Sequence, residues 1–231
     1  MREIIFDTET TGLDPKSGHR LVEIGCIELV DRRETGRSFH AYFHPERDMP
    51  SEAEAVHGLS LAFLSDKPRF AERAAELIDF LGDAPLVAHN AAFDFGFVNA
   101  ELARVGLGIL DLDRMICTVQ LARKLHPGAK HSLDALCIRY GIDRSHRVKH
   151  GALLDAELLA HLYIEMTGGR QIGLGLASSL RSGDRSGEPV AATLTQRPFR
   201  EPRPHAASPC EQARHAEFVA TLKQPLWHDA A

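Results

Sequence analysis

The stretch Ile4-Ile5-Phe6-Asp7-Thr8-Glu9-Thr10-Thr11-Gly12 joins a short apolar run to two carboxylates that are two residues apart. Alternate residues of a β-strand share a face, so a strand through this stretch would aim Asp7 and Glu9 at the same point. Two like charges at the buried end of a strand are costly unless a positive charge lies between them, and divalent cations commonly supply it. The stretch therefore predicts a metal site, whereas an isolated Asp-x-Glu is more often a pair of solvated charges.

Another carboxylate, Asp94, follows a second apolar run. The segment Leu86-Val87-Ala88-His89-Asn90-Ala91-Ala92-Phe93-Asp94 passes from a short strand into a helix that ends near Gly106, with Asp94 in its first turn. The helix dipole favours a carboxylate there. Asp94 is therefore either a helix-start charge or a further metal ligand.

A third segment, His150-Gly151-Ala152-Leu153-Leu154-Asp155, opens a helix that the leucine spacing extends to about Met166. A helix advances about 100° per residue, so His150 and Asp155 would lie roughly 140° apart if both were helical. They can meet only if His150 precedes the helix, in the basic loop 144–149, while Asp155 lies in the first turns. A loop histidine can approach and retreat, which suits a proton acceptor better than a fixed ligand.

The order Asp, Glu, Asp, His, Asp, carried by the motifs DTETTGLDP, HNAAFD and HGALLD, resembles the DEDDh family of 3′→5′ exonucleases over about residues 1–167. The stretches 53–60 and 127–136 make the chain most similar to the epsilon group of that family, the proofreading subunits of bacterial DNA polymerase III. This resemblance implies that His150 takes a proton from the attacking water. It also implies that two divalent ions, Mg²⁺ or Mn²⁺, are held by four carboxylates: Asp7, Glu9, Asp94 and Asp155.

The same resemblance implies a pocket for the terminal nucleotide. Its predicted substrate contacts are Asp7, Glu9, Thr10, Val56, His57, Phe93 and Asp155. Ordinary packing is the alternative for His57 and Phe93. His89 and Asn90 are predicted to support the site without touching the substrate.

The hydrophobic pattern predicts an antiparallel meander followed by alternating elements. The meander consists of strands at 2–7, 21–30 and 37–43. The later elements are a helix at 70–81, a strand at 85–89, a helix after Phe93, a strand at 115–118, helices at 118–125 and 132–140, and the helix that ends near Met166. This order predicts an α/β fold, a mixed five-stranded sheet flanked by helices, and it resembles the ribonuclease-H-like fold of the family.

The composition changes beyond Gly168. Residues 178–210 contain five prolines together with glycines, serines and scattered charges, which is typical of a flexible linker. We therefore predict an exonuclease domain at 1–169, a candidate clamp-binding peptide at 170–177, and a polymerase-binding tail with a short C-terminal helix at 211–231.

The tail has the pattern of an amphipathic helix whose large apolar residues are Phe218, Leu222 and Trp227. Exposed aromatic residues on such a helix indicate a partner groove. The resemblance implies that this partner is the alpha subunit of polymerase III. The alternative is that the helix packs back on its own domain.

The segment Gln171-Ile172-Gly173-Leu174-Gly175-Leu176 resembles the short peptide by which bacterial replication proteins bind the sliding clamp. Gln171, Leu174 and Leu176 occupy the expected places. The last position lacks aromatic character and two glycines raise the entropy of ordering, so we expect weak binding. A glycine-rich start to the linker is the alternative.

Bulk properties restrict the function further. The net charge of −5 is unusual for a nucleic-acid binder, but cations bound at the site would reverse the local sign. No apolar stretch reaches the ~18–20 residues that span a bilayer, and the first residues lack the order of a signal peptide, so we expect a cytoplasmic protein. An RNA-trimming relative and a non-catalytic scaffold between polymerase and clamp are the functional alternatives. The polymerase-like tail argues against the first, and the complete set of catalytic residues argues against the second.

Overall fold

The computed structural model describes residues 1–147, 149–169 and 206–222. These residues belong to two compact units, Met1–Leu176 and Ala177–Ala231. The predicted linker lies outside the described residues except for its last five positions, 206–210. The clamp-binding peptide also lies outside them.

The first unit is built on one five-stranded mixed sheet in the order β3-β2-β1-β4-β5. The strands are β1 (Arg2–Thr10), β2 (Leu21–Val30), β3 (Arg33–Tyr42), β4 (Leu86–Ala88) and β5 (Met115–Cys117). The first three strands pair antiparallel, and β1 pairs parallel with β4, as β4 does with β5. The predicted fold class and meander are therefore confirmed.

Seven helices of this unit flank the sheet in the described residues. They are α1 (Ser51–His57), α2 (Leu61–Leu64), α3 (Phe70–Leu81), α4 (Ala92–Arg104), α5 (Thr118–Leu125), α6 (Leu133–Tyr140) and α7 (Ala152–Met166). Helices α3 to α7 match the predicted ones to within two residues at most ends, whereas α1 and α2 were not predicted.

Two strand boundaries differ from the prediction by more than one residue. Strand β1 continues to Thr10 because it pairs with β2 through the whole acidic stretch, with Glu9 opposite Glu23. Strand β3 begins at Arg33, four residues early, because Asp31 and Arg32 form a tight two-residue hairpin turn with φ of 51° and 61°. Positive φ at both positions is the geometry of the common two-residue hairpins, here without the usual glycine.

Strand β1 is buried on both faces. Ile4 and Phe6 point into a core shared with α3 and α4, whereas Ile5 points into a second core shared with α5, α6 and α7. Because β1 and β4 are parallel, their carboxyl ends lie at the same edge of the sheet, where α/β folds commonly place their ligand sites.

A glycine sets the position of α7 against this edge. Gly25 of β2 lies opposite Asp7 of β1, and a Cβ atom added there would come within 2.3 Å of the Leu153 backbone. The first turn of α7 can therefore lie directly on the backbone of β2. This close approach brings Asp155 toward the carboxyl end of β1.

The described part of the second unit contains one helix, α8 (Pro209–Ala220). Ser208 caps it, because its hydroxyl accepts the Glu211 N–H and the Glu211 carboxylate accepts the Ser208 N–H. The helix thus begins two residues before the predicted start of the tail at residue 211. Among the described residues no helix has the length and apolar character needed to cross a membrane.

Candidate active site

The predicted catalytic residues meet in one cavity of about 330 Å³ at the carboxyl end of β1. The four carboxylates and the histidine that line it are Asp7, Glu9, Asp94, His150 and Asp155. These residues come from three separate segments of the chain. The structure therefore brings together every residue of the predicted catalytic set.

Each carboxylate lies near the end of a strand or in the first turn of a helix. Asp7 and Glu9 lie near the end of β1, and Asp94 lies in the first turn of α4, which follows directly on the neighbouring parallel strand. The Thr8 hydroxyl donates a 2.8 Å hydrogen bond to Oδ1 of Asp94, which ties α4 to β1. Asp155 lies in the first turn of α7 and is 3 % exposed.

His150 precedes α7, as the helical geometry required. Its backbone N–H donates to the carbonyl of Val56 at 3.4 Å, and its side chain is half-exposed. Its Nδ1 lies 3.3 Å from Oδ2 of Asp155. Ligand atoms of Glu9, His150 and Asp155 all lie within 4.8 Å of one another, a spacing that could hold a metal ion.

The pKa values of the clustered carboxylates are shifted by burial and by their negatively charged neighbours. Burial raises the pKa of Asp7 well above its ordinary value, and Asp94, Glu9 and Asp155 raise it further. Burial first, and then Asp155, raises the pKa of Glu9 to about 8, while burial raises that of Asp94 to about 7. These carboxylates would ionise more readily with a cation between them. Their oxygen donors fit hard divalent ions.

Arg147 is a part of the site that the sequence pattern did not reveal. Its Nε and Nη2 donate to the two oxygens of Asp155 at 2.5 and 2.7 Å, and its Nη2 also donates to Nδ1 of His150 at 2.8 Å. It lies in the basic loop 144–149. The one sequence signal for it was its position three residues before His150, the predicted proton acceptor.

A second cavity of about 550 Å³ adjoins the first, since Glu9 and Phe93 line both. Thr10, Val56 and His57 also line it, so the residues predicted to contact the terminal nucleotide line two adjoining cavities. Phe93 is half-buried at the junction between the two cavities, and it also packs against the first core, with its ring 5.0 Å from that of Phe97.

His57 presents a buried donor in this cavity. Its Nδ1 accepts the N–H of Leu59 at 3.0 Å, so the ring proton of the neutral side chain is on Nε2. Burial lowers the pKa of His57 and favours that neutral ring. The Thr10 backbone lies near the ring but makes no hydrogen bond of normal geometry with Nε2, which is buried without a partner.

His89 and Asn90 occupy supporting positions. Nδ1 of His89 is 3.0 Å from the Thr118 hydroxyl, and the ring lines the catalytic cavity. Asn90 has φ of 67° in the turn between β4 and α4. Their predicted supporting role stays a prediction.

Two of the predicted partner-binding residues lie in the described part of the second unit. Phe218 is on α8 and Leu222 follows it, both exposed, at 60 % and 37 %. Gln171, Leu174 and Leu176 lie outside the described residues. Trp227 does as well.

Comparison with known proteins identifies the class. Residues 4–163 match the family model described as Exonuclease. The chain belongs to this exonuclease family. Its likeness to DNA polymerase III epsilon subunits makes it a 3′→5′ exonuclease.

Individual proteins similar to this chain make the comparison more specific. The chain is 44 % identical to DNA polymerase III subunit epsilon of Rickettsia felis, with 96 % of this chain and 97 % of the relative covered. It is similar to the structure of exonuclease X in complex with 5′ overhanging duplex DNA, at 29 % identity and a TM-score of 0.54, covering 71 % of this chain and 90 % of that one. The nuclease domain of 3′hExo, a DEDDh family member bound to rAMP, shares the fold at 18 % identity and a TM-score of 0.63, covering 72 % and 91 %.

Proposed function

We propose that this chain removes mispaired nucleotides from DNA 3′ ends, one at a time, as the proofreading subunit of a replicative DNA polymerase. Proofreading 3′→5′ exonuclease activity accords with its family and with the epsilon subunits it resembles. The observation that carries the proposal is the convergence of four carboxylates and a histidine, from three segments, in one cavity beside a nucleotide-sized one.

The catalytic step is hydrolysis of a phosphodiester. Enzymes of the DEDDh type generally depend on two divalent metal ions, and we propose Mg²⁺ or Mn²⁺ because all four carboxylates offer hard oxygen ligands. Asp7, Glu9, Asp94 and Asp155 would hold these ions. When bound, such ions make water acidic near neutral pH and neutralise charge on the phosphoryl oxygens.

His150 is proposed to accept the proton of the attacking water. The water oxygen bonds to phosphorus, and the bond from phosphorus to the 3′ oxygen of the preceding nucleotide breaks. The products are a nucleoside 5′-monophosphate and a shortened strand with a 3′ hydroxyl. A histidine suits this role because its charge state changes near neutral pH.

The second cavity is proposed to hold the terminal nucleotide. His57 would donate from Nε2, Phe93 would contact the nucleotide at the junction with the catalytic cavity, and Thr10 and Val56 would form the wall. Val56 is 50 % exposed, so its apolar surface is available to a ligand. A frayed, mispaired end reaches such a pocket more easily than a paired end, because its unpairing cost is smaller.

The C-terminal tail and the candidate clamp-binding peptide at 170–177 are proposed to tether the nuclease. Phe218, Leu222 and Trp227 would anchor the tail in a groove of the polymerase alpha subunit, while Gln171, Leu174 and Leu176 would bind the sliding clamp weakly. The likeness to the Rickettsia subunit covers 96 % of the chain and thus reaches beyond the nuclease. The proposed place of action is the bacterial cytoplasm.

Digestion of 3′-labelled primers by the purified chain tests the function. We expect Mg²⁺-dependent release of 5′-mononucleotides, faster from a mismatched than from a matched DNA end, and slower from an RNA primer of the same sequence. Faster digestion of RNA than of DNA would contradict the proposal. So would equal rates on matched and mismatched ends together with no metal dependence.

A further inference from the structure

Arg147 is the one permanently charged cation that lines the catalytic cavity among the described residues. Its side chain is 9 % exposed, so its contacts replace most of its hydration. Besides its two bonds to Asp155, its Nη1 donates to Oδ1 of Asp134 at 3.0 Å. A planar guanidinium is suited to such a forked arrangement, which an ammonium cannot reproduce.

The guanidinium occupies both oxygens of a carboxylate that is proposed to hold metal. The same Nη2 that binds Asp155 also donates to Nδ1 of His150. The lone pair of Nδ1 is therefore turned toward Arg147. In this arrangement two members of the catalytic set, Asp155 and His150, are held by one cation.

The influence of this cation extends to the rest of the cluster. Its charge lowers the pKa values of Asp7 and Glu9, against the larger opposite effect of burial. A single positive charge nevertheless faces four carboxylates. A divalent ion added beside Asp155 would repel the guanidinium while binding the same oxygens.

We propose that Arg147 is a positioning residue and built-in counter-ion, which holds Asp155 and His150 in the metal-free enzyme and competes with the divalent cation for Asp155. Its bond to Asp134 keeps the guanidinium and the preceding loop beside the cavity after Asp155 is released. This inference rests on the proposed metal site. It adds a competitor for the metal and an anchor for the proton acceptor.

The direction in which Mn²⁺ affinity changes distinguishes this role from a merely structural one. Substitution Arg147→Gln removes the competing charge, so the Mn²⁺ affinity of the full chain should rise, by roughly tenfold. A residue that only supported the fold would lower metal affinity on removal or leave it unchanged. Turnover at saturating Mn²⁺ should fall in the same variant, because the loop that carries His150 loses its anchor from Arg147 to Asp134, while the KM for DNA stays close to the wild-type value.

Arg144→Gln is the matched control. Arg144 lies in the same loop and also donates to Oδ1 of Asp134, at 2.9 Å, but it makes no bond to Asp155. Its loss removes the same charge without removing the proposed competitor. Mn²⁺ affinity and turnover should therefore stay near wild-type values. Arg147→Lys should fall between wild type and Arg147→Gln, since an ammonium can reach Asp155 but cannot hold His150 in the same fork.

Titration calorimetry with Mn²⁺ on the full chain and its three variants decides the matter, with kcat and KM measured on a mismatched primer. Tighter Mn²⁺ binding with a lower kcat in Arg147→Gln supports the inference, and if that variant does not fold, Arg147→Lys carries the same test. Unchanged or weaker Mn²⁺ binding would overturn it, as would a raised KM with unchanged metal affinity, which would make Arg147 a substrate ligand. A wild-type chain that binds no Mn²⁺ would refute the proposed metal site itself.

Discussion

Gly25→Ala should damage catalysis although Gly25 touches no substrate. A Cβ atom at this position would lie 2.3 Å from both Cα and N of Leu153 and 2.5 Å from the Ala152 carbonyl carbon. All three are backbone atoms, so no side chain can move aside. The first turn of α7 would have to retreat by about 1 Å to restore normal contact, and Asp155 would move with it. Displacements of about 1 Å from reactive geometry can lower a rate by roughly 10²-fold.

The same substitution should also lower stability. Overpacking a well-filled interior typically costs about 1–3 kcal/mol. In a chain of this size that corresponds to a fall in melting temperature of roughly 2–12 °C. The assay is the initial rate of hydrolysis of a mismatched 3′-labelled primer in saturating Mg²⁺, with thermal melting followed on the same preparation.

Gly96→Ala is the matched control for this prediction. Gly96 lies in α4, the helix that carries Asp94, and a Cβ atom there would meet nothing within 4 Å. Replacing a helical glycine with alanine should leave activity intact and raise stability by about 0.5–1 kcal/mol. A wild-type rate and melting temperature in Gly25→Ala would show that the close approach of α7 to β2 does not fix the position of Asp155.

Three further results are expected. His150→Ala should lower turnover by about 10²–10⁴-fold yet leave Mn²⁺ affinity measured by calorimetry nearly unchanged, and a large loss of metal affinity would make His150 a ligand. The metal-free chain should lose stability as pH rises from about 4.5 toward about 8, because the pKa of Glu9 is raised in the folded state, which therefore binds more protons than the unfolded chain in this range. Urea denaturation should show this fall of the unfolding free energy with pH in EDTA but not in excess Mg²⁺. Phe218→Ala and Trp227→Ala should weaken capture of the polymerase alpha subunit by roughly thirtyfold or more without changing free exonuclease activity. Removal of the chain beyond residue 169 should have the same effect. Loss of nuclease activity in the shortened chain would refute the division into nuclease and tether.

Local patterns were sufficient to predict the sheet and its main helices. The apolar run before Asp7 and the leucine spacing of α7 both act over a few residues. The short helices α1 and α2 were missed because seven and four residues are too few to establish a helical period. Gly58 caps the C-terminal end of helix α1 with a φ of 78°, which suits a glycine, but a glycine at this place also fits an ordinary turn.

The catalytic set was predictable for a different reason. Its five members lie in three short motifs whose order is informative, and the geometry of α7 dictated that His150 must precede the helix. The roles of Gly25 and Arg147 depend on contacts between distant segments or on the direction of one flexible side chain. Neither follows from periodicity, so the structure was needed to find them.

The metal centre is tested by the release of 5′-mononucleotides from a mismatched DNA primer across a Mg²⁺ titration, measured for the wild-type chain and for Asp7→Ala. We expect wild-type activity that vanishes in EDTA, and less than a few per cent of that activity in Asp7→Ala at saturating Mg²⁺. The melting temperature of the metal-free variant should hold or rise, because a buried like charge has been removed. Wild-type hydrolysis that persists in EDTA, or substantial activity in Asp7→Ala, would contradict the assignment of this carboxylate cluster as the metal centre.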